Sequence, residues 1–173
     1  MIIHMHQRHE SGGKRRRSSA LAVACVGCIA VQSPVATAQE PALKLYSKSA
    51  SYDDVKFELQ NAIIGRGLNV DFNGQLSKML ERTGADVGSS KPVYRQAEYF
   101  TFCSAKLSRS MMEADPANIG FCPYVVFIYE TAAAPGTISV GYRRPPAQGS
   151  DASRAALADI DALLDGIVKE AVK

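Results

Sequence analysis

The spacing of hydrophobic positions changes repeatedly along residues 43–173, and each change predicts a new element. Apolar and polar residues alternate over 43–50, which predicts a first strand. A helix is predicted from about Tyr52 to Arg66, because Ser51 and Asp54 resemble an N-terminal capping box and Gly67 is placed for a left-handed cap. One apolar stripe at helical spacing consists of Val55, Leu59, Ala62 and Ile63.

Turn and capping residues delimit the middle of the chain. The second strand is predicted over 68–72, with Asn73-Gly74 as the turn that ends it, and a short helix follows over roughly 75–83. The third strand, about 94–103, is rich in aromatic residues. Ser104 is expected to cap a short helix that Asp115-Pro116 stops.

The last third of the chain completes an α+β domain. Tyr124 to Tyr129 is nearly all apolar, which predicts a central strand buried on both faces. A hairpin returns over 137–142, and a long helix runs from Ser150 or Asp151 to the end. The order is β-α-β-α-β-α-β-β-α, with helices packed on a sheet of about five strands. The core face of the last helix is predicted to comprise Leu157, Ile160, Leu164, Ile167, Val168 and Ala171.

The first helix carries a second apolar stripe. Phe57 and Ile64 lie seven residues apart on the side opposite Val55 and Leu59. A helix that covers one face of a sheet should be polar on its outer side, so this stripe needs a partner. Three interpretations stay open: cover by another helix of the same chain, a homodimer contact, and simple exposure.

Residues 1–38 have the layout of an export signal. The basic cluster 14–17 precedes an apolar run over 20–31, and Ala36-Thr37-Ala38 is a small-x-small cleavage signature. We therefore expect a cleaved signal peptide, a mature single domain over 39–173 and a periplasmic or secreted location. The run is shorter than the roughly 20 residues of a spanning helix, so no membrane span is expected after cleavage. A lipoprotein acylated on Cys25 or Cys28 and a twin-arginine route through Arg16-Arg17 are the open alternatives.

Removal of this leader changes the composition. All three histidines, His4, His6 and His9, lie within it, and the chain has no tryptophan. The remaining domain then lacks the residues for a Ser-His-Asp triad, a histidine zinc site or a histidine-ligated haem, and no cofactor is expected. Five of the 20 basic side chains and one of the 17 acidic ones also leave with it, so no basic surface suggests nucleic acid.

Short motifs in the second half of the chain resemble the domain of unknown function 302 family. They are the segment 100–104, ending in Phe-Cys-Ser, the pair Asp115-Pro116, and the segment 122–130, which runs from Cys-Pro to Tyr-Glu. The opening β-α-β pattern is also similar, so the resemblance covers roughly residues 45–171. It implies a compact α+β fold and supplies no reaction.

Cys103 and Cys122 are the only cysteines outside the leader. In an oxidising compartment they form a structural disulfide, remain two separate buried thiols, or act as a reactive redox pair. A bridge would close a loop of about 20 residues and requires Cα atoms within about 7 Å. Since one cysteine ends a strand and the other begins the next, the bridge predicts antiparallel or kinked geometry.

The remaining residues that could bind a metal, a dinucleotide or an anion give weaker indications of a functional site. Met111 and Met112 could join the cysteines in a soft-metal site but are interpreted as core, so no metal site is predicted. Gly65 and Gly67 close a helix and do not form a dinucleotide loop. The others are interpreted structurally: Asp159, Asp161 and Asp165 as a solvated helix face, Arg143-Arg144 as surface with an anion site as the alternative, and Tyr99, Tyr124 and Tyr129 as half-buried strand residues.

The sequence thus predicts an exported small α+β module that binds an unidentified small molecule or protein and has no catalytic machinery of its own. A homodimer through Phe57 and Ile64 is one form of that interaction. The alternative function is a thiol-based redox or sulfur-handling protein that uses Cys103 and Cys122.

Overall fold

The computed structural model describes residues 41–89 and 91–173. The expected signal peptide and its cleavage point before Gln39 lie outside these residues. The elements are β1 (Leu43–Ser49), α1 (Tyr52–Ile64), β2 (Phe72–Gln75), α2 (Leu76–Thr83), β3 (Tyr94–Phe102), α3 (Ala105–Ala114), a 3₁₀ helix (Pro116–Phe121), β4 (Tyr124–Thr131), β5 (Thr137–Arg143) and α4 (Asp151–Ala171).

The five strands form one antiparallel sheet in the order β1-β5-β4-β3-β2. The predicted α+β class and strand number are confirmed. The strand predicted to be central, β4, is the middle one, paired with β3 on one side and with β5 on the other. No helix in the described part of the chain is long and apolar enough to cross a membrane.

Helices α1, α3 and α4 contribute to the core on one face of the sheet. The predicted α1 stripe is buried, from Val55 to Ile63, and so are the six predicted core residues of α4. They pack against alternate strand residues, among them Phe100, Val126 and Val140, none of which is measurably exposed. The buried faces of α1 and α4 were predictable because their apolar residues recur at the 3.6-residue period of one helix face.

The prediction that β4 is buried on both faces is wrong. Its residues alternate between buried and half-buried, and Val125, Phe127 and Tyr129 lie on the half-buried side. A nearly continuous apolar run is typical of a strand inside a parallel sheet, whereas an antiparallel sheet can leave one face without a helical layer. The second face of this sheet therefore remains accessible.

The second strand also differs from the prediction. It covers Phe72–Gln75, so Asn73-Gly74 lies inside a strand and forms no turn. Gly74 pairs with Tyr99 of β3, and a Cβ built at Gly74 would lie 2.1 Å from Cε1 of that ring. The glycine thus permits a close approach between ring and backbone, which is a tertiary requirement.

The element ends follow the capping prediction in part. Ser104 and Ser150 accept hydrogen bonds from backbone amides at the starts of α3 and α4. Gly67 has the predicted left-handed conformation, with φ of 72°. The expected box at Ser51 is wrong, since its side chain caps nothing in α1. The 3₁₀ helix after Asp115, whose side chain accepts a hydrogen bond from Ala117 N at 2.9 Å, was not predicted.

Candidate functional site

Cys103 and Cys122 form a disulfide, with 6.4 Å between their Cα atoms. Because β3 and β4 are antiparallel, Phe102 pairs with Tyr124 and brings the two cysteines together. The expected antiparallel geometry is confirmed, and the interpretation as two separate thiols is wrong. The bridge encloses α3 and the 3₁₀ helix, and both cysteines are half-buried.

The two methionines of α3, which lies within the bridged segment, serve the core. Met111 is fully buried, and Met112 packs against the core from a half-buried position. Both cysteine sulfurs are engaged in the disulfide. Within the described residues, no group of three or more His, Cys, Asp and Glu side chains could hold a metal ion.

Asp161 and Asp165 of α4 face the sheet, so the prediction of a solvated face is wrong for them. Asp161 accepts a hydrogen bond from the Tyr142 hydroxyl at 2.8 Å and two from the Arg144 guanidinium at 3.1 Å each. Arg144 was predicted to be a surface residue, but its side chain is only 23% exposed. The anion-site alternative thus loses one of its two cations to Asp161.

Asp165 lies one turn further along α4 and has three donors. The Tyr46 hydroxyl is 2.6 Å away, Lys44 Nζ 2.9 Å and Lys169 Nζ 2.7 Å. Burial opposes ionisation, but hydrogen bonds from Lys169, Tyr46 and Lys44 outweigh it and lower the pKa of Asp165 to about 2. We call Asp161, Asp165 and these donors the α4 carboxylate cluster.

A second carboxylate group lies under α1. Glu98 of β3 is only 9% exposed and faces the helices. It accepts hydrogen bonds from Lys56 Nζ at 2.7 Å and from Gln75 Nε2 at 2.9 Å. Burial opposes ionisation of Glu98, but the hydrogen bond from Lys56 and further donors lower its pKa below the usual value. With Tyr52, these residues form what we call the Glu98 cluster.

Tyr52 distinguishes this cluster from ordinary packing. It lies four residues before Lys56 on α1, hence on the same helix face, and is 4% exposed. Its buried hydroxyl makes no hydrogen bond of standard geometry within the described residues, although the Glu98 carboxylate lies close enough to act on it. Burial and the neighbouring Glu98 carboxylate raise the pKa of Tyr52 far above its usual range. A buried, unsatisfied donor costs free energy and calls for a physical reason.

A second buried carboxylate lies close by on β4. Glu130 is 7% exposed and accepts a hydrogen bond from the backbone N–H of Gly136 at 2.7 Å. Arg95 Nε is 3.4 Å from the same oxygen. Glu130 also contributes to the raised pKa of Tyr52, so both acids act on the same buried hydroxyl.

A cavity of about 890 Å³ opens beside the Glu98 cluster. It lies between α1, α2, the segment that leads to β3 and the beginning of β3, and Lys56, Gln75 and Glu98 are part of its wall. Its size falls within the range of small-molecule sites. The charged residues of its wall are Asp53, Lys56, Lys78, Glu81, Lys91, Arg95 and Glu98.

Sequence reasoning missed this site, although one signal was available. In β3, Glu98 has the same strand parity as Phe100 and Phe102, which are fully buried. A carboxylate in phase with buried aromatics must be partnered or strongly perturbed. The donors could not have been found locally, since Lys56 lies on α1 and Gln75 at the end of β2.

The remaining predicted residues lie away from the cavity. Phe57 and Ile64 are 61% and 60% exposed. The interpretation that another helix of the described chain covers these two residues is therefore wrong. Their role in a dimer contact stays a prediction. Tyr99 and Tyr129 are half-buried as expected, whereas Tyr124 is almost fully buried and shares a 2.9 Å hydrogen bond with Ser108.

Comparison with known proteins identifies the family. The model of the family described as "Domain of unknown function DUF302" matches residues 43–171. A crystal structure of an uncharacterized conserved DUF302 protein from Bacillus stearothermophilus is similar, with a TM-score of 0.63 and 14% identity over 76% of this chain and 98% of that one. No curated protein is similar enough to count as a match. Because the family model covers most of its sequence, this chain belongs to the DUF302 family.

Proposed function

We propose that this protein is an exported binding module that holds a small polar molecule in the cavity beside Glu98. The observation that carries the proposal is the buried, unpartnered hydroxyl of Tyr52 next to a carboxylate in a cavity wall. Tyr52 itself does not line the cavity, so a ligand that binds at Glu98 must reach past this carboxylate to give the hydroxyl a partner and offset the cost of its burial. The proposal assigns no reaction to the site.

The composition of the wall supports a polar ligand. Basic and acidic side chains are mixed, and Glu98 is already neutralised by Lys56. Lys78 and Lys91 have no carboxylate partner within the described residues, so they are free to bind an acidic group of a ligand. Amino acids and small carboxylates, which combine acidic groups with hydrogen-bonding atoms, are the first class to test.

Thermal unfolding of the purified protein tests the proposal. Glycine, glutamate, succinate and glucose are added separately at millimolar concentration. A ligand at one hundred times its Kd adds about 2.7 kcal/mol to the free energy of unfolding, so a binding probe raises Tm by several degrees. Glu98→Gln should abolish that shift, and Glu113→Gln, which alters an exposed ion pair on α3, should retain it.

A second variant separates loss of binding from loss of folding. Leu80 lies in the cavity wall and is 39% exposed, so Leu80→Trp fills the cavity without removing a partner of Glu98. Its Tm without ligand should stay near that of the parent, while the probe-induced shift disappears. The proposal fails if no probe stabilises the parent, or if both cavity variants respond as the parent does.

The export part of the proposal depends on the leader alone. We expect the exported protein to begin at Gln39. Intact-mass measurement of the exported form checks this, and a retained leader or a lipid-modified cysteine would contradict it.

A second candidate function is thiol–disulfide chemistry at Cys103 and Cys122, which is supported by their disulfide and half-buried position. Thiol counting with and without reductant, followed by equilibration in glutathione buffers, tests it. A bridge that opens within the glutathione range supports redox function, and one that resists reduction there indicates a structural role.

A further inference from the structure

The sheet has a second face, opposite the helical layer, that the binding proposal does not use. Strand alternation assigns to it every second residue of each strand, and we call this surface the open face. Val125, Phe127 and Tyr129 lie at its centre on β4, and none of them belongs to the core. The other residues of the open face are Leu43, Leu45, Ser47, Ser49, Phe72, Gly74, Tyr94, Ala97, Tyr99, Thr101, Thr131, Thr137, Ser139, Gly141 and Arg143.

Large apolar side chains occupy both the centre and the two edges of this surface. Leu43 and Leu45 on edge strand β1 are 55% and 47% exposed, and Phe72 on the opposite edge strand is 56% exposed. In the centre the rings of Phe127 and Tyr129 stack with centroids 6.3 Å apart. Monomeric proteins rarely leave an apolar surface of this extent open to water.

Aromatic rings extend the apolar surface across three strands. Phe72 packs on Tyr99 with ring centroids 5.9 Å apart, and Tyr94 packs edge-on against Tyr129 at 5.5 Å. Tyr99 and Phe127 are direct partners in the pairing of β3 with β4. The aromatic side chains thus follow one another over the face of β2, β3 and β4.

Two glycines allow the central rings to lie close to the backbone. A Cβ at Gly74 would collide with the Tyr99 ring, and a Cβ at Gly141 would lie 2.8 Å from the Phe127 ring. Both rings therefore cover neighbouring strands and do not stand away from the sheet. Rings that lie against the sheet in this way are compatible with face-to-face packing of two sheets about 10 Å apart.

Charge limits the choice of partner. Among the residues of the open face only Arg143, at the end of β5, is charged. A nucleic acid would need several cationic side chains beside the aromatic rings, and a charged protein would need an opposite charge to pair with. A second copy of this face, which has one charged residue at its margin, needs neither.

We propose that the open face binds a second copy of this chain and forms a two-fold homodimer by packing sheet on sheet. Five strands about 4.8 Å apart and about seven residues long, at about 3.4 Å per residue, give a face of about 24 by 24 Å. Two such faces together cover about 1,100 Å² in projection, which reaches the roughly 1,000 Å² of a stable interface. Phe57 and Ile64 alone form a much smaller surface.

Sedimentation velocity of the purified protein tests this assignment. The parent should sediment as a dimer, and Phe127→Asp at the centre of the open face should sediment as a monomer of half that mass. Leu45→Glu and Phe72→Glu, at opposite edges, should each raise the dimer Kd at least tenfold. Phe57→Asp, on the outer side of α1, is the matched control and should leave the dimer intact.

The edge variants keep the test decisive if Phe127→Asp does not fold. Leu45 and Phe72 are about half-exposed in the single chain, so a charge at either position leaves the monomer folded, as circular dichroism would verify. The proposal is overturned if the parent protein sediments as a monomer. This holds whether residues 1–38 or another protein then cover the open face. The proposal is also overturned if Phe57→Asp dissociates the dimer while Leu45→Glu retains it. That result would assign the interface to α1.

Discussion

The two carboxylate clusters on the helical side of the sheet differ in how completely they are satisfied. In the α4 carboxylate cluster, the hydroxyls of Tyr46 and Tyr142 both donate to an aspartate, and Arg144 meets Asp161 with two nitrogen atoms. In the Glu98 cluster, the carboxylate is paired but the Tyr52 hydroxyl is not. Both clusters bury acidic groups, yet only one leaves a donor without a partner.

This difference separates a structural role from a binding role. The α4 carboxylate cluster joins the C-terminal helix to β1 and β5, and protein donors take up its charge. Lys56, Gln75 and Glu98 of the Glu98 cluster form part of the wall of a cavity, so a molecule from outside can reach these three side chains. A buried charge by itself is thus a poor indicator of a site, whereas an unsatisfied group beside accessible space is a better one.

The largest effect is expected when Asp161 is removed. Asp161→Ala removes the carboxylate that pairs with Arg144 and accepts from the Tyr142 hydroxyl, at a site where the aspartate side chain is 20% exposed. We expect a loss of about 3 kcal/mol in the free energy of unfolding, the lower end for a broken buried pair. Urea denaturation measures it, with exposed Asp159→Ala as the control on the same helix. Equal losses in the two variants would contradict a structural role for the cluster.

A smaller and pH-dependent effect is expected at Asp165. Its pKa is lowered to about 2 in the folded protein, so its contribution is fully present above the unfolded pKa near 4 and is lost as the pH falls towards 2. Asp165→Asn should cost about 1–2 kcal/mol at pH 7, because solvent screens part of the interaction. The difference between parent and variant should shrink between pH 4 and 2 in denaturation curves. A difference that does not change with pH would show that the charge of Asp165 is not responsible.

The smallest effect is expected when a single tyrosine hydroxyl is removed from either cluster. Tyr142→Phe removes a hydroxyl that donates to Asp161 and should cost about 1 kcal/mol. The same change at Tyr52 removes a hydroxyl without a partner and should be neutral or slightly stabilising. Thermal and urea unfolding of the two variants provide the measurement. If Tyr52→Phe is as costly as Tyr142→Phe, the Tyr52 hydroxyl is satisfied in the folded protein and the distinction between the clusters fails.

Much of the fold could be predicted because its signals are local. The apolar stripe from Val55 to Ile63 and the core face of α4 follow from helical spacing within one segment. Ser104 and Ser150 cap helices through amides only three residues away. The cysteine pair could be named from composition, and the antiparallel strands bring the two residues together.

The candidate site could not be predicted in the same way, because its partners are distant in sequence. Lys56 and Glu98 are 42 residues apart, and Tyr46 and Asp165 are 119 apart. On α4 alone, Asp161 and Asp165 have the spacing of a solvated face, and only the strands beneath them supply the hydroxyls and cations that hold them inward.

The sequence by itself determined the order of the main helices and strands and the helix faces that enter the core, and it named the two cysteines but left their pairing open. Only the tertiary structure decided that Gly74 lies under the ring of Tyr99 and that one face of β4 is left open. It also decided that Glu98 finds its donors while Tyr52 finds none. The physical reason is that periodicity and capping act within a few residues of the chain. The pairing of buried polar groups depends on which distant segments the sheet brings into contact.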